Sequence, residues 1–153
     1  MDDKIETSAE RAEAAALPRS RAVHSDPSSG KTPEQEPLPE GVKKKPIEQK
    51  SPAEWAYERL ILYIQNFERN LDAEHEVGMG FTDTGAGVLR IEGLGYFDPD
   101  IVTFYGTDGS GARVQQVQHV SQLNVLLRAS RKVDEAAPAR RIGFELAKGL
   151  EAK

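Results

Sequence analysis

GLGYFDPDIVTFYGTDGSG, residues 93–111, places five glycines, four aromatics and three aspartates between two apolar runs. Two readings compete for it: a loop that cradles a ligand with its backbone amides, or the turns of a small antiparallel sheet. Asp108-Gly109 between two alternating runs is a hairpin signal, because glycine accepts the positive φ that such turns require. A phosphate cradle would set its amides at a helix N-terminus. Here the residues beyond the turn, Arg113 to Val120, alternate as a strand does. The turn reading is therefore preferred. Gly93 and Gly95 fall inside a strand, where a missing side chain marks a bulge, a bend or a close backbone approach. A helix lying across that face would account for them without a ligand.

Working outward, Val77, Met79 and Phe81 alternate with Glu76, Gly78, Gly80 and Thr82, the period of a strand with one buried face. Thr84-Gly85-Ala86-Gly87 reads as a tight connection into a second strand, Val88 to Phe97. Asp98-Pro99-Asp100 turns the chain into Ile101–Tyr105, and Thr107 to Ser110 turns it again into Arg113–Val120. Short connections between neighbouring strands imply an antiparallel meander. Upstream, Ser51, Pro52 and Glu54 supply an N-cap, a first-turn proline and a capping box. Ala53, Tyr57, Leu60, Ile64, Phe67 and Leu71 then form one apolar stripe of a helix running to about Asp72. Trp55, Ile61, Leu62 and Tyr63 widen the apolar surface beyond one stripe, which makes Trp55, Leu62 and Tyr63 candidates for contact with a second chain. Downstream, HVSQLNVLLRASRKV fits either a helix capped by Ser121 or a strand through Leu123, Val125 and Leu127, and the helix is preferred. After Pro138, Ile142, Phe144 and Leu146 alternate as a last strand, and residues 148–153 are expected to fray.

The expected class is α+β: a long N-terminal helix packed on an antiparallel meander of four to five strands, with a short second helix. Residues 51–147 form the single domain. Residues 1–50 hold six prolines and no aromatic side chain, too little apolar surface to offset the entropy of ordering, and read as a disordered tail. Thr7–Leu17 favours helix by composition, but an isolated helix of that length is marginal in water. Ser28-Ser29-Gly30-Lys31-Thr32 ends like a P-loop, yet Ser25 stands where the motif's first glycine belongs and Pro33 follows. The chain has no cysteine, which removes disulfides and thiolate chemistry. Its acidic first residues do not resemble a secretion signal, and it has no apolar run long enough to span a membrane. A cytoplasmic location is the expectation.

Three segments carry a resemblance. SPAEWAYERL, VQHVSQLNVLL and ARRIGFEL resemble a family of small bacterial proteins catalogued only as a domain of unknown function, over about residues 51–147. More remotely, the order helix, meander, Phe97-Asp98 at a strand turn and His119 before Val120-Ser121 is similar to that of Hfq and other Sm-like RNA-binding barrels. This second resemblance implies a small β-barrel with His119, Phe97 and Asp98 at an RNA site. It departs from the pattern in a displaced strand glycine and in Gln118, where a lysine would precede the histidine.

Charge opposes that implication. Between residues 51 and 127 there are four basic side chains against eleven acidic ones, a net of −7, whereas a phosphate-binding surface should be basic. Arg128, Arg131, Lys132, Arg140 and Arg141 form the one candidate basic patch, with intramolecular pairing as the plainer account. Asp72, Glu74, His75 and Glu76 carry metal-ligating groups, but consecutive residues at a helix end rarely converge. His119 with Asp98 or Asp100 has the chemistry of an acid–base pair. No GxSxG, HExxH or dinucleotide fingerprint is present. The expected role is a non-catalytic protein-interaction or self-associating module, with a protein partner or homo-oligomer and without cofactor, metal or membrane. The alternatives are an Sm-like RNA binder and, third, a metal-dependent enzyme.

Overall fold

A computed structural model describes residues 19–26, 28–81 and 87–151. The Thr7–Leu17 helix, the first part of the tail and the turn at 84–86 lie outside the described residues. The elements in chain order are α1 (Glu40–Lys43), α2 (Pro52–Arg69), β1 (His75–Gly80), β2 (Val88–Phe97), β3 (Ile101–Thr107), β4 (Arg113–His119), β5 (Leu126–Arg131) and α3 (Ile142–Glu151), with 3-10 turns at Pro33–Gln35, Ile47–Gln49 and Val120–Gln122. The class is α+β, with one antiparallel five-stranded sheet in the order β4-β3-β2-β1-β5.

Helix α2 starts where its capping residues place it. Ser51 Oγ accepts the Glu54 N–H at 3.0 Å, and the same hydroxyl donates to the Asp98 carboxylate at 2.5 Å. The Ala53 N–H donates to the Pro99 carbonyl at 3.0 Å. The first turn of the helix is thereby clipped to the β2–β3 turn, whose Asp98-Pro99 peptide is cis. Along the helix Ala53, Ala56, Leu60 and Ile64 pack on Val77, Met79, Leu89, Ile91, Val102 and Phe104 of the sheet, with Phe67 and Leu71 beside them. The Phe81 and Phe104 rings meet edge to face, 4.9 Å between centroids. Each fully buried aliphatic or aromatic side chain in such a layer contributes about 1.5–3 kcal/mol.

A second apolar cluster lies on another side of α2. Ile61 packs with Val42 and Leu150, and Leu38, Trp55, Tyr57 and Leu62 line the cluster. Part of the stretch that reads as tail is therefore packed. Lys50 Nζ lies 2.6 Å from Glu58 in a pair with both side chains buried, donates to the Val42 carbonyl, and sits 5.0 Å from the centre of the Trp55 ring. The aromatic that would make this segment look ordered is supplied by α2, outside the segment itself.

Two expected elements change type. Residues 120–131 are a 3-10 turn followed by strand β5, where a helix is preferred from sequence. β5 pairs with β1 from His75↔Arg131 to Gly80↔Leu126; a helix there would leave that edge of β1 unpaired. Residues 142–151 are helix α3, where a strand is expected. Ile142 and Leu150 are buried and Leu146 packs between the two clusters, a four-residue spacing that suits a helix face. The end of the chain is accordingly packed down to Leu150, which is 2 % exposed. The barrel alternative is not realised, since the sheet is open and β4 and β5 are its edges.

Breaking the Lys50–Glu58 pair from one side strands a buried charge. Lys50→Ala is expected to cost about 3–5 kcal/mol of unfolding free energy, and Lys50→Met with Glu58→Met to recover most of that loss. Urea denaturation of the three proteins checks both.

Candidate functional site

The face of the sheet turned away from α2 holds every other residue of the opening stretch, Gly93, Gly95, Phe97, Ile101, Thr103 and Tyr105, while Val102 and Phe104 point into the core. Register places Phe97 opposite Ile101 and Ile101 opposite His119, with Thr103 opposite Val117 in the next row and Tyr105 opposite Gln115 beyond. The Tyr105 ring lies across the two strand glycines: a Cβ on Gly93 would stand 3.6 Å from the ring, and one on Gly95 would stand 2.7 Å from the Thr103 hydroxyl oxygen. The sequence reading put a helix over these glycines; it is an aromatic from the neighbouring strand, on the opposite face, that covers them. The β3–β4 turn is held by Asp108, whose carboxylate accepts from Ser110 N–H, Ser110 Oγ and Ala112 N–H at 2.9, 2.6 and 3.0 Å. These bonds, the Ser110 hydroxyl first, hold Asp108 below the usual carboxylate range. Its left-handed residue is Gly111, with φ of 86°. The stretch is a pair of turns.

His119 closes β4. Its Nδ1 accepts the Ser121 N–H at 3.1 Å and lies 2.8 Å from Ser121 Oγ, so Nε2 carries the proton and donates to Asp100 at 3.0 Å. Asp100 also accepts the Val120 N–H through its carbonyl at 2.8 Å. The histidine thus pairs with Asp100; Asp98 is turned to Ser51. Of the expected RNA residues, Phe97 is 76 % exposed and stands in one row with His119, while Asp98 serves the helix cap. The carboxylates beside this row disfavour a phosphate backbone.

The five basic residues do not form one surface. Arg141 donates to the carbonyls of His75 at 2.7 Å and Asp72 at 2.8 Å, fastening the connection from α2 into β1. Lys132 donates to the Ala137 carbonyl at 2.9 Å, and the Arg140 N–H donates to Glu76 at 3.0 Å. Arg128 stands opposite Gly78 and Arg131 opposite His75 on β5, both exposed. Among the described residues no three acidic or histidine side chains come together to hold a metal ion. Asp72 instead accepts from Glu74 N–H and meets His75 Nδ1 at 2.7 Å, with the His75 contact foremost in holding it below the usual carboxylate range. Glu76 is bound to Arg90 at 3.1 Å. Ser28, Ser29, Gly30 and Thr32 line an open cleft against Asn66 and Phe67, but a 3-10 turn follows them, and neither the strand nor the helix of a phosphate loop is there.

The candidate contact residues of α2 keep part of their surface open: Trp55 and Leu62 are half-buried and Tyr63 is exposed. Trp55 and Leu62 pack on the second cluster, and Arg59 stacks on the Trp55 ring at 4.6 Å. Tyr63 is at the surface, its hydroxyl donating to Glu34. Sequence periodicity misses the exposed aliphatics at the two sheet edges, Val117 and Leu126, because edge position depends on strand order.

The model of a family of unknown function (DUF6173) matches residues 45–145, and the chain belongs to that family. The match begins before Ser51, within the segment that Lys45 and Lys50 fasten to Glu54 and Glu58. Neither a curated protein nor a solved structure matches the chain.

The division of the basic residues is measurable. Arg141→Ala should cost about 1.5–3 kcal/mol, the worth of hydrogen bonds from a charged donor, whereas Arg128→Ala and Arg131→Ala should stay within about 0.5 kcal/mol. Equal losses for all three in thermal or urea unfolding would contradict the assignment.

Proposed function

We propose that the domain is a non-catalytic self-associating module that joins copies edge to edge through its sheet. The observation that supports this reading is the pair of edge strands, β4 and β5, each with a neighbour on one side only among the described residues. Each carries an aliphatic side chain that is 58 % exposed, Val117 on β4 and Leu126 on β5. The ladder puts both on the face away from α2: Leu126 is opposite Gly80, while Val117 is opposite Thr103. An open edge offers a row of unpaired N–H and C=O groups and is a template for another strand. Neither edge carries the lysine or proline that commonly blunts such a strand. Joining β4 of one copy to β5 of the next is a head-to-tail contact, which repeats until a ring closes.

Light scattering on the full chain tests this. Val117→Lys and Leu126→Lys should each reduce assembly while leaving the unfolding free energy within about 0.5 kcal/mol, as surface changes do. Mixed, the two variants should form a heterodimer, since each retains the edge that the other lost. A monomer at all concentrations, or assembly lost only on Trp55→Ala, would sink the proposal.

One observation favours the RNA reading, the exposed Phe97 ring in one row with His119, because unstacked bases bind on such aromatic faces. The acidic body sets the expectation against it: no RNA binding tighter than about micromolar at physiological salt. Tight uridine-selective binding that His119→Ala abolishes would replace the first reading with this one.

A further inference from the structure

We propose that Glu68 is a proton-operated latch: the neutral carboxyl keeps the first turn of α3 docked on α2, and its ionisation loosens that turn. Glu68 stands in the last turn of α2 and is 1 % exposed. Its Oε1 accepts the Gly143 N–H at the start of α3, and its Oε2 is buried with no partner among the described residues. The two helices meet backbone to backbone at this point. A Cβ on Gly143 would stand 2.7 Å from the Gln65 nitrogen and 2.8 Å from its Cα, so no water fits between them.

The charged groups around the carboxyl come from each element packed there. Arg140 and Arg141, on the segment entering α3, draw it toward ionisation, as do the N–H groups of Gly143 and Phe144. Arg141 is committed to the carbonyls of His75 and Asp72. Arg69 of α2 is bound to Glu36 and faces the Phe144 ring at 5.9 Å. Glu145 and Lys148 of α3 are exposed. Desolvation outweighs these attractions and pushes Glu68 up to about 7 from an ordinary value of 4.5. A carboxyl raised in the docked state favours docking fully below pH 4.5, and that contribution is lost as pH rises through about 7. What the turn covers is apolar: Ile142 and Leu146 belong to the main core, and Leu150 closes on Val42 and Ile61.

Hydrogen exchange of the full chain, followed at residues 143–147 and expressed as protection relative to the unstructured rate at each pH, reads the latch. Protection should fall tenfold or more between about pH 5 and pH 8, the consequence of one linked proton, while β2 and β3 keep theirs. In Glu68→Gln, which holds the neutral shape, protection should be independent of pH. Carbon-13 NMR of the wild-type Glu68 carboxyl gives a second measurement that needs no variant and should show titration near neutrality. Protection that is flat with pH in the wild type, the same fall in Glu68→Gln, or a carboxyl titrating near 4.5 would each overturn the proposal.

Discussion

Helix α2 has more apolar surface than one face of a sheet can cover, and the rest of the chain is arranged around that excess. Its first side, Ala53, Leu60 and Ile64, completes the core over the sheet. Its second, around Ile61, needs a separate cover, which α1 supplies through Val42 and α3 through Leu150. Both covering pieces are short, and neither has a core of its own. They are held by buried polar contacts at their ends: Lys50 to Glu58 for the segment before α2, and Gly143 to Glu68 for α3. Because buried ionisable groups cost several kcal/mol unless compensated, these two contacts are where the packing is most sensitive to substitution and pH.

The same constraint separates the inside of the domain from its surface. The chain itself covers both apolar sides of α2 in large part, leaving Trp55 and Leu62 half-buried and Tyr63 exposed. The sheet is different. β1 lies inside the sheet, flanked by β2 and β5, with Glu76 fastened to Arg90 and to the Arg140 N–H. Among the described residues, β4 and β5 have a neighbour on one side only. The connection between them, residues 120–125, crosses from one edge of the sheet to the other with Val120, Leu123 and Val125 packed on the core. Six residues, three of them in a 3-10 turn, span at most about 20 Å, close to the width of four strand spacings. A segment of that reach just bridges the two edges, and among the described residues no further strand pairs with either of them.

How much of this is legible in the sequence depends on whether the information is local. Ser51, Pro52 and Glu54 mark the start of α2 by their own chemistry, and the period-two runs mark β1 to β4 because each strand has its own alternation. The α+β class follows from these alone. β5 and α3 are misread for a shared reason: their type is set by what they meet. Leu126 to Arg131 extends because β1 has a free edge to pair with. Ile142 to Glu151 coils because its start is capped by Glu68, more than seventy residues earlier. The packing of Val42 and Lys50 is likewise not local, since it depends on Ile61, Glu58 and Trp55. At the candidate sites, the pairing of His119 with Asp100 follows once the β2–β3 turn is known. The dispersal of the five basic residues does not, because Arg141 acts on carbonyls that no sequence pattern reveals.

The central claim is that α2 is an internal element and the sheet edges are the outward ones. Hydrogen exchange of the full chain at low and high protein concentration tests it directly, because a partner strand protects edge amides without touching the helix. Protection should rise with concentration at residues 113–119 and 126–131 and stay constant across 52–69. Protection that rises across 52–69 while both edge strands remain unchanged would contradict the account.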